Sequence, residues 1–154
     1  MPRPLAQTDT PEPELEGYVG YNLKRAYVTL QEDFRRALGE GGLTTRAFSA
    51  LTLAVQFPQI TQSELARILG IERSGLVSIV DDLERRGYLA RAQMPGDRRV
   101  QALVPTRAGV AAQAEAARAV RAHEDRLLSG LDADERATLI DLLTRIRHAG
   151  EGGE

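Results

Sequence analysis

The stretch from Ile60 to Thr106 constrains this chain most, because helix, short turn, helix and hairpin signals follow one another there with little between them. Thr61 and Glu64 stand at the spacing of a capping box, in which the hydroxyl and the carboxylate each satisfy a backbone N–H that a helix start leaves free. Ile60 and Leu65 flank the pair as a hydrophobic staple does. Leu65, Ile68 and Leu69 supply one apolar stripe and Gly70 the left-handed residue that closes a helix, so a short helix is expected over 61–69. Leu76, Val80 and Leu83 then recur at helical spacing, with Ile79 beside them, until Gly87. This second helix of roughly 15 residues spans about 22 Å at ~1.5 Å per residue, enough to lie in a major groove about 12 Å wide. Its apolar face belongs to the core. The remaining early positions, Arg73, Ser74, Gly75 and Ser78, are small or basic, so backbone can approach base edges while Arg73 reaches a phosphate or a guanine.

Tyr88 to Gln93 alternates partly, and Val100 to Val104 answers it after Pro95-Gly96-Asp97-Arg98-Arg99, which predicts two strands around a tight turn. The turn carries two guanidiniums at its tip. Such a loop suits a neighbouring minor groove, whose narrow, electronegative stretches attract inserted arginine.

The run Leu83-Glu84-Arg85-Arg86-Gly87-Tyr88-Leu89, then Asp97-Arg98-Arg99, then Pro105-Thr106-Arg107-Ala108-Gly109 resembles the MarR family of bacterial transcriptional regulators, over about residues 15–148. The family's Leu-Thr-Pro-x-Gly after the wing is matched here, slightly altered, by Val104 to Gly109. The resemblance implies a mainly α fold with a small β-hairpin, a winged helix-turn-helix flanked by N- and C-terminal dimerisation helices. It also implies that Asp97 organises the wing by tying to a nearby basic residue and that Arg98 or Arg99 enters the minor groove. One departure stands out: family members often carry basic residues at the positions of Ser78 and Asp82, where this helix holds Ser78, Asp81 and Asp82. Acids facing phosphates weaken binding, and the sequence leaves open whether these two face DNA or a partner arginine.

Around the winged segment, 59–105, the chain divides into a loose, proline-bearing arm over 1–13, a helical part over 14–58, C-terminal helices over 106–148 and a Gly/Glu tail over 149–154. From Leu15 to Leu38 the apolar positions follow steps of three and four, before Gly39, Gly41 and Gly42 break the helix. A further helix, from about Thr44 to Phe57, carries Phe48, Leu51, Leu53 and Val55. Two more are expected, over about Arg107–Ser129 and Ala133–Arg147, the last started by Asp132 and Glu135 at capping-box spacing. Leu139, Ile140, Leu142, Leu143 and Ile146 make that last helix apolar on most sides. Paired with the N-terminal helix it builds a homodimer, which a pseudo-palindromic operator in double-stranded DNA requires; intrachain packing of the same helices is the alternative.

Tyr18, Tyr21 and Arg25 fall on roughly one face of the first long helix. Two phenols beside a guanidinium suit an aromatic carboxylate or the phosphates of a CoA thioester, and Tyr21 to Ala26 is similar to family members that sense such ligands. Phe48 and Thr52, one turn apart, are the candidate opposite wall of this effector site. Aromatic residues at this spacing also serve as plain core, and Arg25 also suits a carboxylate across the dimer.

Composition excludes other classes. A chain of 154 residues with 42% hydrophobic content is one ordinary unit large enough to bury a core. No run of 18 apolar residues and no charged-then-apolar leader is present, so no membrane association and a cytoplasmic location are expected. With no Cys and only His123 and His148, thiol sensing and zinc binding are not expected, nor is any other metal or cofactor. Nucleophile-elbow and phosphate-loop motifs are missing, which argues against an enzyme. The net charge of -2 hides a segregation: from Arg67 to Arg107 eight arginines face five acids, +3, leaving -5 for the remainder. The expectation is a homodimeric DNA-binding regulator, a repressor released by a small aromatic effector. The alternative is a winged-helix module that binds another protein without specific DNA binding.

Overall fold

Leu51, Leu65, Leu76, Val80, Leu83 and Leu103 are the large side chains most completely withdrawn from water, and they come from three helices and one strand of a single core. The computed structural model describes residues 14–152, so the arm expected over 1–13 and the last two residues of the tail lie outside it. The order is α1 (Val19–Leu38), α2 (Thr45–Gln56), α3 (Gln62–Leu69), α4 (Arg73–Arg85), β1 (Leu89–Met94), β2 (Asp97–Pro105), α5 (Arg107–Leu127) and α6 (Ala133–Glu151).

Two helices of the head start where a side chain takes a free N–H group, while α4 begins after Glu72 without a side-chain cap. Thr44 caps α2 through Ala47, and Thr61 and Glu64 close the expected capping box on α3. Ile60 and Leu65 are both buried, completing the staple, and Gly70 ends α3 in the left-handed conformation (φ 62°). Burial of Leu65 and Leu76 packs α3 against α4, with α2 behind them. Ile68, expected in the apolar stripe, is instead about half exposed, because α3 is too short to be covered on two faces.

β1 and β2 pair antiparallel from Leu89↔Pro105 to Gln93↔Gln101, and then Met94 pairs with Asp97 across Pro95-Gly96. Between those last two pairs Arg98, Arg99 and Val100 have no partner on β1, so the arginines bulge from β2 rather than forming the turn itself. The chain just before α3 adds a third short edge: Leu103 N–H donates to the Ile60 carbonyl at 2.8 Å and Gln59 N–H to the Leu103 carbonyl at 3.2 Å. This edge clamps the wing to α3.

Beyond the head three boundaries differ from expectation. Leu15–Gly17 is one 3-10 turn and Tyr18 is extended, so α1 begins at Val19. α5 ends at Leu127. α6 runs on to Glu151, through residues assigned above to the tail, since nothing before Gly152 breaks it. α1 packs along α5, pinned by Asp33, whose carboxylate meets His123 Nδ1 at 2.7 Å and accepts from Arg126 at 2.9 Å.

Candidate nucleic-acid interface

Arg73 is the first residue of α4, and its guanidinium lies back over α3, donating to Ser63 Oγ at 3.0 Å. Ser74 and Ser78 are exposed one turn apart, Ser78 Oγ lying 3.5 Å from the Ser74 carbonyl. Gly75 is half-buried, and a Cβ there would stand 3.3 Å from Ile71, so its smallness serves the packing of the α3–α4 turn. Val77, which the sequence did not single out, is exposed beside them.

Across from α4, Arg98 and Arg99 project from the β2 bulge, and Asp97 Oδ1 accepts from the Arg99 backbone N–H at 3.0 Å. Asp97 therefore ties to a nearby basic residue through that residue's backbone N–H, and among the described residues it meets no guanidinium. The start of α3, α4 and the wing enclose a cleft of about 450 Å³ lined by Gln62, Ser63, Arg73, Arg98, Arg99 and Gln101, among others. Gln62, Ser63 and Gln101 were not anticipated; the signal for the first two was their place directly after the cap Thr61.

The open question of the two acids on α4 has a geometric answer. Asp82 pairs with Arg85 and with Arg86, the latter at 2.9 Å, and Asp81 meets Arg91 of β1 at 2.6 Å, with Glu84 on the same guanidinium. Partial burial pushes the Asp82 carboxyl up, but hydrogen bonds and charge from Arg85 and Arg86 outweigh it and hold the group below its ordinary range. The acids are thus tied into the junction of α4 with the wing. Arg86 also donates to the Gly41 carbonyl at 2.8 Å, fastening the end of α4 to the α1–α2 loop.

The candidate effector residues do not meet as one site within this chain. Tyr18, 60% exposed, precedes α1; Tyr21 is half-buried and Arg25 exposed on its first turns. Phe48 stacks edge-on against Phe34 at 5.8 Å, and Phe34 is about 20 Å further along α1 than Tyr21 at ~1.5 Å per residue. Thr52 accepts from Gln113 of α5 at 3.4 Å. A separate cleft of about 820 Å³ opens over Phe34 and Leu43, with Arg35 and Arg46 in its lining.

Among known proteins, the model of the MarR family matches residues 41–100. A putative transcriptional regulatory protein for the hcr operon of Thauera aromatica is 32% identical over 133 residues, covering 86% of this chain and 80% of the relative. The chain belongs to the MarR family. A solved MarR-type neighbour, the transcriptional repressor CouR bound to a 23-mer DNA duplex, is 40% identical over 87% of this chain and 95% of its own, with a TM-score of 0.83. CouR bound to p-coumaroyl-CoA is 38% identical over 87% and 94%, with a TM-score of 0.78. Neighbours and family alike are transcriptional regulators, and the mainly α winged-helix fold is that of the family. Among the described residues no helix is long and apolar enough to cross a membrane.

Proposed function

We propose that this MarR-family protein is a sequence-specific DNA-binding repressor, not an enzyme, acting as a homodimer on a pseudo-palindromic operator in the cytoplasm. The observation that carries the reading is the convergence of α4, the β2 bulge and the start of α3 on one arginine-lined cleft, in a chain that aligns over 87% of its length with a DNA-bound repressor. Ser74, Gly75 and Ser78 belong to the major-groove face together with Arg73, and Arg98 and Arg99 reach the minor groove from a wing that Asp97 shapes. Phosphate contacts supply most of the affinity and fix the register on the duplex.

The proposed effector is an aromatic acid or its CoA thioester, in keeping with the p-coumaroyl-CoA bound by the neighbour. Tyr18, Tyr21 and Arg25 receive its anionic end. Phe48 and Thr52 face Phe34 and Gln113, so they act behind the site rather than as its opposite wall. Release follows from population shift: a ligand that prefers the form with wrongly spaced heads lowers operator affinity by its differential binding.

A fluorescence-anisotropy titration against the DNA upstream of the protein's own gene, with random duplex as control and salt varied, tests the reading. Saturable, salt-sensitive binding at two protomers per site is expected, with release on adding p-coumaroyl-CoA or p-coumarate. Arg25→Ala is expected to keep operator affinity and lose that release; a variant released at the wild-type ligand concentration removes Arg25 from the effector site.

A further inference from the structure

The cleft between the start of α3, α4 and the wing is rich in donors and short of acceptors. Arg73, Arg98 and Arg99 line it, and among the described residues none of them meets a carboxylate. Ser63 Oγ already receives Arg73. Of the first N–H groups of α3, that of Gln62 faces β2 across the Thr61–Ala102 bridge, that of Ser63 has no acceptor within a helix, and that of Glu64 is taken by Thr61 Oγ1 at 3.2 Å. The one carboxylate at this helix start, Glu64, is occupied by the Thr61 backbone and hydroxyl, both at 2.8 Å.

Gln62 adds the decisive detail. Its side-chain Nε2 is sealed from solvent and has no hydrogen-bond partner. Native proteins rarely leave a buried donor unpaired, because it forfeits its bonds to water without replacement. An amide so placed, at the edge of a cleft lined by three arginines, suits an anionic oxygen that no carboxylate among the described residues supplies.

We propose that Gln62 and Ser63 grip one backbone phosphate of DNA together with Arg73, the Gln62 amide swinging from its unpaired position onto a phosphate oxygen. The inference rests on the DNA-binding reading and changes one role within it. Arg73, parked on Ser63 at the α3 side of the cleft, holds backbone and does not read a base. The grip makes α3 a second phosphate anchor opposite the wing, independent of sequence.

Gln62→Leu keeps the bulk and removes the amide, and two measurements on the full-length protein decide the matter. In the free protein this variant is expected to melt no lower than wild type, because the orphaned donor goes with the amide. On DNA it is expected to bind about tenfold more weakly, the loss typical of one hydrogen bond to a charged group, and by the same factor on the upstream duplex and on random duplex of equal length. Arg73→Ala is expected to weaken both duplexes equally and to lower the salt slope by about one; Ser63→Ala weakens both by a smaller factor. Undiminished binding by Gln62→Leu overturns the grip. A melting temperature several degrees lower overturns it too, since Gln62 is then a packing residue, and so does a loss confined to the upstream duplex. Wild-type protein that binds neither duplex at low salt overturns the regulator reading and the grip with it.

Discussion

Gly109 shows how much a single position decides here. Thr106 caps α5 by accepting from Gly109 N–H at 3.0 Å, while its own backbone N–H donates to the Tyr88 carbonyl at 3.0 Å. A Cβ on Gly109 would run into that same carbonyl, so the chain leaving the wing can press against the α4–β1 turn only with glycine there. Gly109→Ala is therefore expected to cost about 1–3 kcal/mol or more, seen as a lower urea midpoint at unchanged slope; a midpoint within error of wild type would show that the contact yields freely. Three carboxylates set the acid limit. The hydrogen bond from His123 holds Asp33 below its ordinary range against a smaller upward push from burial, and the Thr61 backbone does the same for Glu64; for Asp82 burial is the largest single influence and pushes up, but Arg85 and Arg86 together outweigh it. A folded-state pKa below the unfolded one means stability present above the ordinary carboxylate range of about 4 and lost as pH falls through the lowered values. Thermal midpoints are expected to drop below about pH 4, and Asp33→Asn to lower the midpoint at pH 7 while converging on wild type in acid. Parallel curves would remove Asp33 from that account.

Among elements, α3 was the most legible in the sequence because its start, its stop and its buried Leu65 are written within a dozen residues, although Ile68 of the expected stripe is half exposed. Thr61→Ala is expected to cost about 1 kcal/mol through the lost cap, measurable by thermal unfolding; no change would mean that Glu64 holds the helix start without the hydroxyl. The wing was legible as a hairpin, but its bulge was not. That depends on which β2 residue faces Gln93, a cross-strand register that local spacing does not encode. Arg98→Ala and Arg99→Ala are expected to weaken operator and random duplex alike, without loss of thermal stability, because both arginines stand clear of the ladder; a loss on the operator alone would make either one a base reader. The effector residues mark the limit of periodicity. Spacing put Tyr18, Tyr21 and Arg25 on one face of a helix, yet Tyr18 is extended and precedes α1; spacing also carries no information on what stands opposite, and Phe48 and Thr52 turned out to face Phe34 and α5. Asp81 and Asp82 were ambiguous for the same reason, since Arg91 lies on another element.

For the whole molecule, α6 matters most. None of its residues is buried, and Leu139, Leu142, Leu143 and Ile146 are exposed with Ile140, which is 65% exposed. An apolar helix face of this kind is what a two-fold partner covers. Ile140→Glu with Leu143→Glu is expected to give monomers in sedimentation velocity and to lower operator affinity by more than tenfold, because the second head is no longer delivered with the first; intact dimers would place the interface elsewhere. The uncovered face also bears on gene dosage. A helix whose apolar side awaits a second copy, as proposed, would make assembly a matter of mass action. Where protomers are scarce, the amount of assembled repressor rises as the square of their number, so a modest dilution at cell division or a modest burst of synthesis is converted into a steeper change in operator occupancy than either reading head alone would give.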